Sequence, residues 1–483
     1  MEELLFGIKS QTIELTGLDT QGSFANIPFV FFYENSLNDS DFMDSKLLHE
    51  SFIRTILQVP VLVGHICAKG RGHTRVVIDS RNLNMPDYRE SSSDIHFDDL
   101  KADGFNWRSW PPDVNTVGPM TQAGAEGKIK PINVHIIRLR NNSGVMVYIS
   151  MTHYMADSHG YMAVVKRWSE IYQLLLGKTP EKIVDLPSLV INRATIQQSL
   201  PKERLPVNSE TRETFTKFSL LAELFAWISP KVRGHIASKV VKRQNAETHL
   251  FHVSYAALDS LRQSIGEYVS DVSKVTDSDL IMALTTKIIV QAQQKTKKGN
   301  GKTKTISRLL DHGNDKLPLA VVFEVRDRLG MADINYVGNA LIPKILLKSV
   351  KDLQTPVTFK YLGQTVTDFG DITHDLSAPY IASHIDMIMP RPSSFTRPLA
   401  RFITEKDALT YIYDLTPNMY EVDFGTGKPC WVSPIQPFRV NLTQLLTSKD
   451  PNEGVDVFIS LYPEVMKEVL NNEFWNKVAK IIY

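Results

Sequence analysis

Two β-rich runs, Ile132 to Leu139 and Val145 to Met151, are joined by Asn141-Asn142-Ser143-Gly144, and this arrangement constrains the fold more than any other stretch. Branched and aromatic side chains suit a pleated surface, whereas Asn and Gly tolerate the backbone of a tight reversal. The spacing therefore predicts an antiparallel pair. Directly after it, Met162, Val164, Val165, Trp168, Ile171, Tyr172 and Leu175 recur at helical spacing until Gly177 offers a stop, which predicts a helix of about four turns. Strand, strand, loop and helix in that order leave His153-Tyr154-Met155-Ala156-Asp157 in the loop between sheet and helix.

The rest of the chain repeats this mixture. Ile27 to Tyr33, Val61 to Cys67 and Arg75 to Asp79 read as strands, and Lys46 to Leu57 as a helix ending before Pro60. The second half starts with Phe215 to Trp227; Asp279 to Gln294 has helical character, while Thr248 to Tyr255, Leu317 to Val325 and Val455 to Leu461 read as strands, and an amphipathic helix is predicted from Pro463 to Ile482. The fold class is α/β in the broad α+β sense. Between Lys178 and Arg212 the periodicity fades, and Pro180, Pro187, Pro201 and Pro206 punctuate a polar stretch, as in an interdomain connection. We therefore expect an N-terminal domain over 1–180, a crossover over 181–212 and a C-terminal domain over 213–483.

Composition narrows the function. The 54 Lys and Arg nearly balance the 53 Asp and Glu, so no global field recruits nucleic acid or an anionic membrane. Cys67 and Cys430 stand far apart outside any CxxC pattern, which argues against a disulfide scaffold or a zinc site. The acidic start Met1-Glu2-Glu3-Leu4-Leu5 lacks the form of a signal peptide, and no apolar stretch is long enough for a membrane span. A cytoplasmic protein without metal is expected. The basic run Lys295 to Lys304 reads either as a solvated loop or as an electrostatic guide for the phosphates of a nucleotide-bearing cofactor.

Histidine on such a loop accepts a proton near neutrality. In a chain with 13 histidines, a His-x-x-x-Asp match is expected about once by chance, so His153 and Asp157 need a second signal. It lies 270 residues on. Tyr420-Glu421-Val422-Asp423-Phe424-Gly425-Thr426-Gly427-Lys428-Pro429 sets two glycines and a proline behind an acidic residue, a composition for a tight rigid turn. It lacks the pattern of a phosphate-binding loop, and no His-Arg-Asp segment supports a kinase reading of Asp-Phe-Gly. The second Asp-Phe-Gly, at Asp368, is read as a turn.

Together the two motifs resemble the His-x-x-x-Asp and Asp-Phe-Gly-Trp-Gly signatures of the BAHD acyltransferases. Pro60 and Gly64, Val325-Arg326-Asp327-Arg328 and Tyr336-Val337-Gly338-Asn339-Ala340 agree with further family segments in order. The C-terminal layout resembles the fungal branch containing trichothecene 3-O-acetyltransferase. The resemblance implies two chloramphenicol-acetyltransferase-like domains around a central tunnel, in a monomer that takes acyl-CoA as co-substrate and a small-molecule acceptor. His153 is then the general base. Asp157 pairs with an arginine, Arg326 before Arg328, and Asp423, Gly425 and Gly427 brace a turn.

Departures qualify the match. Ser158-His159 separates Asp157 from Gly160, Thr426 replaces an aromatic, and Tyr413-Asp414 stands where the family has Ser-Trp. His159 is thus a competing base. Thr410, Tyr411 and Tyr413 are the candidates for stabilising an oxyanion. Two alternatives stay open: a catalytically silent binding or scaffold relative, and a condensation-domain-like transferase using a carrier-protein thioester.

Overall fold

Asn141 and Asn142 adopt φ of 56° and 54°, and this left-handed pair reverses the chain between Ile132–Arg138 and Gly144–Thr152. The strands are antiparallel, with Ile136 opposite Val147. The computed structural model describes residues 5–21, 25–70, 73–115, 128–177, 180–216, 232, 235, 245–299, 316–389, 408–417, 419–434 and 440–483. Within these, the hairpin belongs to a five-stranded sheet in the order Trp431–Pro434, Asn26–Glu34, Gly144–Thr152, Ile132–Arg138, Asp87–Ser92. Gly144–Thr152 is buried along its whole length because both of its faces are covered. Val145, Val147 and Ile149 enter one core, and Met146 and Tyr148 another. A strand covered twice reads as a continuous apolar run rather than an alternation.

Helices Ser45–Gln58 and Ser158–Leu176 cover the first face. Asp44 caps the former by accepting from the Leu47 amide, which satisfies a donor that the helix leaves open. Trp168 locks the two together: its ring lies 5.1 Å from that of Phe52 and its Nε1 donates to the Leu48 carbonyl at 3.0 Å.

A seven-stranded sheet forms the other large layer, ordered Leu341–Ser349, Lys316–Glu324, Leu409–Ile412, Leu442–Thr447, Gly454–Leu461, Glu247–Ser254, Ala479–Ile481. It is mixed, since Leu409–Ile412 runs parallel to both neighbours. Helices Tyr255–Ile265, Asp277–Gly299, Phe359–His374 and Ala378–Ile388 contribute to its core. A small third sheet joins Gln11–Glu14, His73–Ile78 and His65–Gly70. The fold is thus α/β with mixed sheets and flanking helices. Trp431–Pro434 comes from the C-terminal half yet pairs with Asn26–Glu34, Val432 lying opposite Phe31.

Three sequence expectations are corrected. Pro60–Val63 is a 3-10 turn, and the strand begins only at His65; Pro60 sets the φ of the first helical residue, and an apolar run buried throughout carries no period. The Asp368 segment is not a turn but part of helix Phe359–His374, where Leu362, Val366 and Phe369 bury one face. The C-terminal helix is two helices and a strand, Pro463–Leu470, Glu473–Val478 and Ala479–Ile481. Asn472 causes the break by capping the second helix through the Trp475 amide. The segment Phe215 to Trp227 lies largely outside the described residues, as does the basic run beyond Gly299. Among the described residues no helix is long and apolar enough to cross a membrane, Cys67 and Cys430 are free thiols, and no cluster of His, Cys, Asp and Glu is arranged to hold a metal ion.

Candidate active site

After Thr152 the chain leaves the sheet through a tight turn in which the Met155 amide donates to the Thr152 carbonyl at 2.9 Å. Asp157 then caps helix Ser158–Leu176, its Oδ1 accepting from the Gly160 amide at 3.0 Å. The loop therefore has sheet at one end and a capped helix at the other.

Asp157 does more than cap. Arg326 grips it bidentately, Nη1 donating to Oδ2 and Nη2 to Oδ1, both at 2.9 Å, and the Ala340 amide donates to Oδ2 at 2.7 Å. The carboxylate is fully buried and Arg326 nearly so. Burial alone pushes the Asp157 carboxyl up, but the adjacent guanidinium and its hydrogen bonds outweigh that and hold the pKa below 3.8. Arg326 also donates to Glu324 Oε1 at 2.6 Å and to the Gly338 carbonyl at 2.8 Å. Asp157 thereby ties the loop to 324–340. The approach is close enough to require glycine: a Cβ at Gly338 would sit 2.1 Å from Arg193 Nη1, and one at Gly160 2.8 Å from Ala156 Cβ.

That segment delivers Asn339 to His153. The Asn339 Oδ1 lies 3.1 Å from His153 Nδ1, and Asn339 Nδ2 donates to the His153 carbonyl at 2.7 Å and to Asp19 Oδ1 at 3.0 Å. With both amide protons of Nδ2 facing acceptors, Oδ1 is the atom turned to the ring. His153 accordingly carries its proton on Nδ1, leaving the Nε2 lone pair available. The half-buried ring has its pKa lowered from 6.5 by burial, partly opposed by the Asn339 hydrogen bond and the charge of Asp157. It is neutral at pH 7. Arg193 completes the support, donating at 2.6 Å to both the Met155 and Val337 carbonyls.

The Asp423 turn stands apart from His153. Asp423 Oδ1 accepts from the Gly425 and Gly427 amides at 2.7 and 3.0 Å, and both glycines hold positive φ, 78° and 94°. What the turn positions is Phe424. Its buried ring meets Trp168 and Tyr172 edge-on at 5.0 and 5.7 Å, so the turn packs on the helix that Asp157 starts.

His159 lies in the first turn of that helix, its pKa pushed down by burial and its buried Nδ1 without a hydrogen-bond partner. Of the oxyanion candidates, the Tyr413 hydroxyl is committed to Asp279 Oδ1 at 2.8 Å and to Thr276 at 2.9 Å. Tyr411 and Thr410 are buried in the seven-stranded sheet. Arg328, the second choice for Asp157, instead donates to the Glu324 carbonyl at 2.8 Å and lies 3.9 Å from Asp414. Asp414 is pushed up to about 6 by burial. Sequence reading passed over Asp19 and Arg193. The Thr16-x-x-Asp19 spacing is a capping-box signal, and the Thr16 amide does donate to Asp19 Oδ2; Arg193 offers no comparable sign.

A model of the Transferase family, the BAHD acyltransferases, matches residues 7–474. The chain belongs to this family. As a BAHD acyltransferase it is 22% identical over 388 residues to coumaroyl-CoA:anthocyanidin 3-O-glucoside-6''-O-coumaroyltransferase 1 of Arabidopsis thaliana, covering 78% of this chain and 73% of that one. Its fold matches that of F. graminearum TRI101 complexed with ethyl coenzyme A, with a TM-score of 0.70 at 14% identity over 98% of this chain and 100% of that one. Vinorine synthase matches with a TM-score of 0.58 at 13% identity, 98% of each chain being covered.

Proposed function

We propose that this BAHD acyltransferase moves an acyl group from acyl-CoA to a hydroxyl, in preference to an amine, of a small metabolite, with His153 as general base. The observation that carries the reading is the His153–Asn339 contact, which leaves Nε2 as a neutral, oriented proton acceptor. Nε2 takes the proton of the acceptor O–H while the oxygen attacks the thioester carbonyl. The tetrahedral oxyanion collapses, the C–S bond breaks, and the CoA thiolate leaves with the proton returned by His153. No acyl-enzyme forms. Positioned proton transfer of this kind contributes about 10²- to 10⁴-fold to rate. The relatives point to the donor: TRI101 of F. sporotrichioides was crystallised with coenzyme A and T-2, and the Arabidopsis enzyme is named for coumaroyl-CoA.

In this reading Asp157 and Arg326 hold the loop, and Asp423, Gly425 and Gly427 hold the turn that buttresses its helix. The catalytic centre lies in a tunnel between an N-terminal domain, 1–180, and a C-terminal domain, 213–483, linked by 181–212, in a cytoplasmic monomer. The test is release of free thiol from acetyl-CoA and longer acyl-CoA esters in the presence of a panel of alcohols and amines. Acceptor-dependent thiol release with an acylated product supports the reading; no release with any donor contradicts it.

A further inference from the structure

Asp19 is fully buried, 134 residues before the histidine it bears on, and its two oxygens face different structures. Oδ2 accepts from the amide and hydroxyl of Thr16, each at 2.8 Å, which caps the short helix Gly17–Gln21. Oδ1 accepts from Asn339, from the amide at 3.2 Å and from Nδ2 at 3.0 Å, with Arg193 Nη1 at 3.5 Å. The second set serves no capping purpose.

We propose that Asp19 is a positioning residue of the active centre, fixing the Asn339 amide so that its Oδ1 faces His153 Nδ1 and Nε2 remains the proton acceptor. This rests on the general-base reading of His153. Asn339 Nδ2 donates simultaneously to Asp19 Oδ1 and the His153 carbonyl. Turning the amide over would set its oxygen against both of those oxygens and its NH2 against Nδ1, favouring the tautomer with the proton on Nε2. Such a ring donates where the reaction needs an acceptor. Accepting from Nδ2, the carboxylate also polarises the Asn339 amide at the end of a chain of hydrogen bonds, and the polarised Asn339 oxygen favours the imidazolium that forms as the acceptor loses its proton. Asp157 acts on the ring from its own loop, while Arg193 and the Tyr336 hydroxyl face Asp19.

The experiment compares Asp19→Asn, Asn339→Ala, the double variant, Thr16→Ala and His153→Ala as full-length proteins in the thiol-release assay. Asp19→Asn is expected to lower kcat about 10- to 100-fold, the range seen when the outer partner of a metal-bound histidine is removed. The KM for acyl-CoA should stay nearly constant, and the acid limb of kcat against pH should move to lower pH. In the Asn339→Ala background the same change should cost no further activity, since residues acting through one another are not additive. Thr16→Ala, which removes the hydroxyl contacts of the cap and leaves the Oδ1 contacts in place, should lower thermal stability without the shift in the acid limb. Wild-type kcat in Asp19→Asn, or an equal loss with and without Asn339, overturns the proposal. If His153→Ala keeps its turnover, the general-base reading fails; if it is dead while Asp19→Asn is fully active, only the role of Asp19 fails. Should Asp19→Asn not fold, the tautomer is read in the unmodified protein by 15N NMR of labelled histidines. A proton on Nδ1 of His153 agrees with the proposal, and one on Nε2 overturns it.

Discussion

Replacing Asp157 by Asn changes one atom and removes one charge, yet the surroundings make it costly. The carboxylate receives four donors: two from Arg326, one from the Gly160 amide and one from the Ala340 amide. An amide at this position has one accepting oxygen, so whichever way it turns, its NH2 group faces two of those donors. The Arg326 guanidinium also loses a counter-charge in a site that water scarcely reaches. Breaking a buried ion pair from one side costs about 3–5 kcal/mol. Glu324 remains at 2.6 Å from Arg326 and compensates in part, which places the expected loss near the lower end, about 3 kcal/mol. The charge dependence has a defined sign. The folded-state pKa of Asp157 is below 3.8, so the stabilisation is present above the unfolded value and is lost as pH falls through the folded one. Urea unfolding followed by tryptophan fluorescence at pH 7 and pH 3 measures this. The variant should have a lower midpoint at pH 7, with the gap from wild type narrowing in acid. An unchanged midpoint at pH 7 refutes the reasoning, and a fully stable but inactive variant shows that Asp157 takes part in the chemistry itself.

Two further outcomes follow from the same geometry. Phe424→Ala deletes a buried ring at the junction of the Asp423 turn and the Trp168 helix, and should cost about 3–5 kcal/mol, read as a lower melting temperature; a wild-type melting temperature would show that the turn does not brace the helix. Because the His153 pKa is lowered from 6.5, kcat/KM should fall only as pH drops below that value, when the ring becomes charged and can no longer accept a proton. An acid limb centred at pH 7 or above would contradict the assigned environment of the ring.

The sequence carried local structure well where one side chain pattern dominated. The hairpin at Asn141 and the helix containing Trp168 were legible because turn chemistry and apolar spacing agree there. Val61 to Val63 misled because three buried apolar residues fit a strand and a 3-10 turn equally. Asp368 misled differently: the Asp-Phe-Gly tripeptide has the composition of a turn, but the Leu362, Val366 and Phe369 spacing makes it helix, despite a glycine that costs such a helix about 1 kcal/mol. In the site, His153, Asp157 and Arg326 were visible through recognisable motifs. Asp19 and Arg193 were not, since buried polar residues have no period and their partners lie far along the chain. The pairing of Trp431–Pro434 with Asn26–Glu34 was hidden for the same reason, being a contact across 400 residues with no local turn to announce it.

The central claim is that His153 removes the acceptor proton. Thiol release from acyl-CoA, measured with a productive acceptor for wild type and for His153→Ala of matched melting temperature, tests it most directly. A loss of about 100-fold or more in kcat with little change in acyl-CoA binding is the predicted result, and wild-type turnover in the folded variant would contradict it.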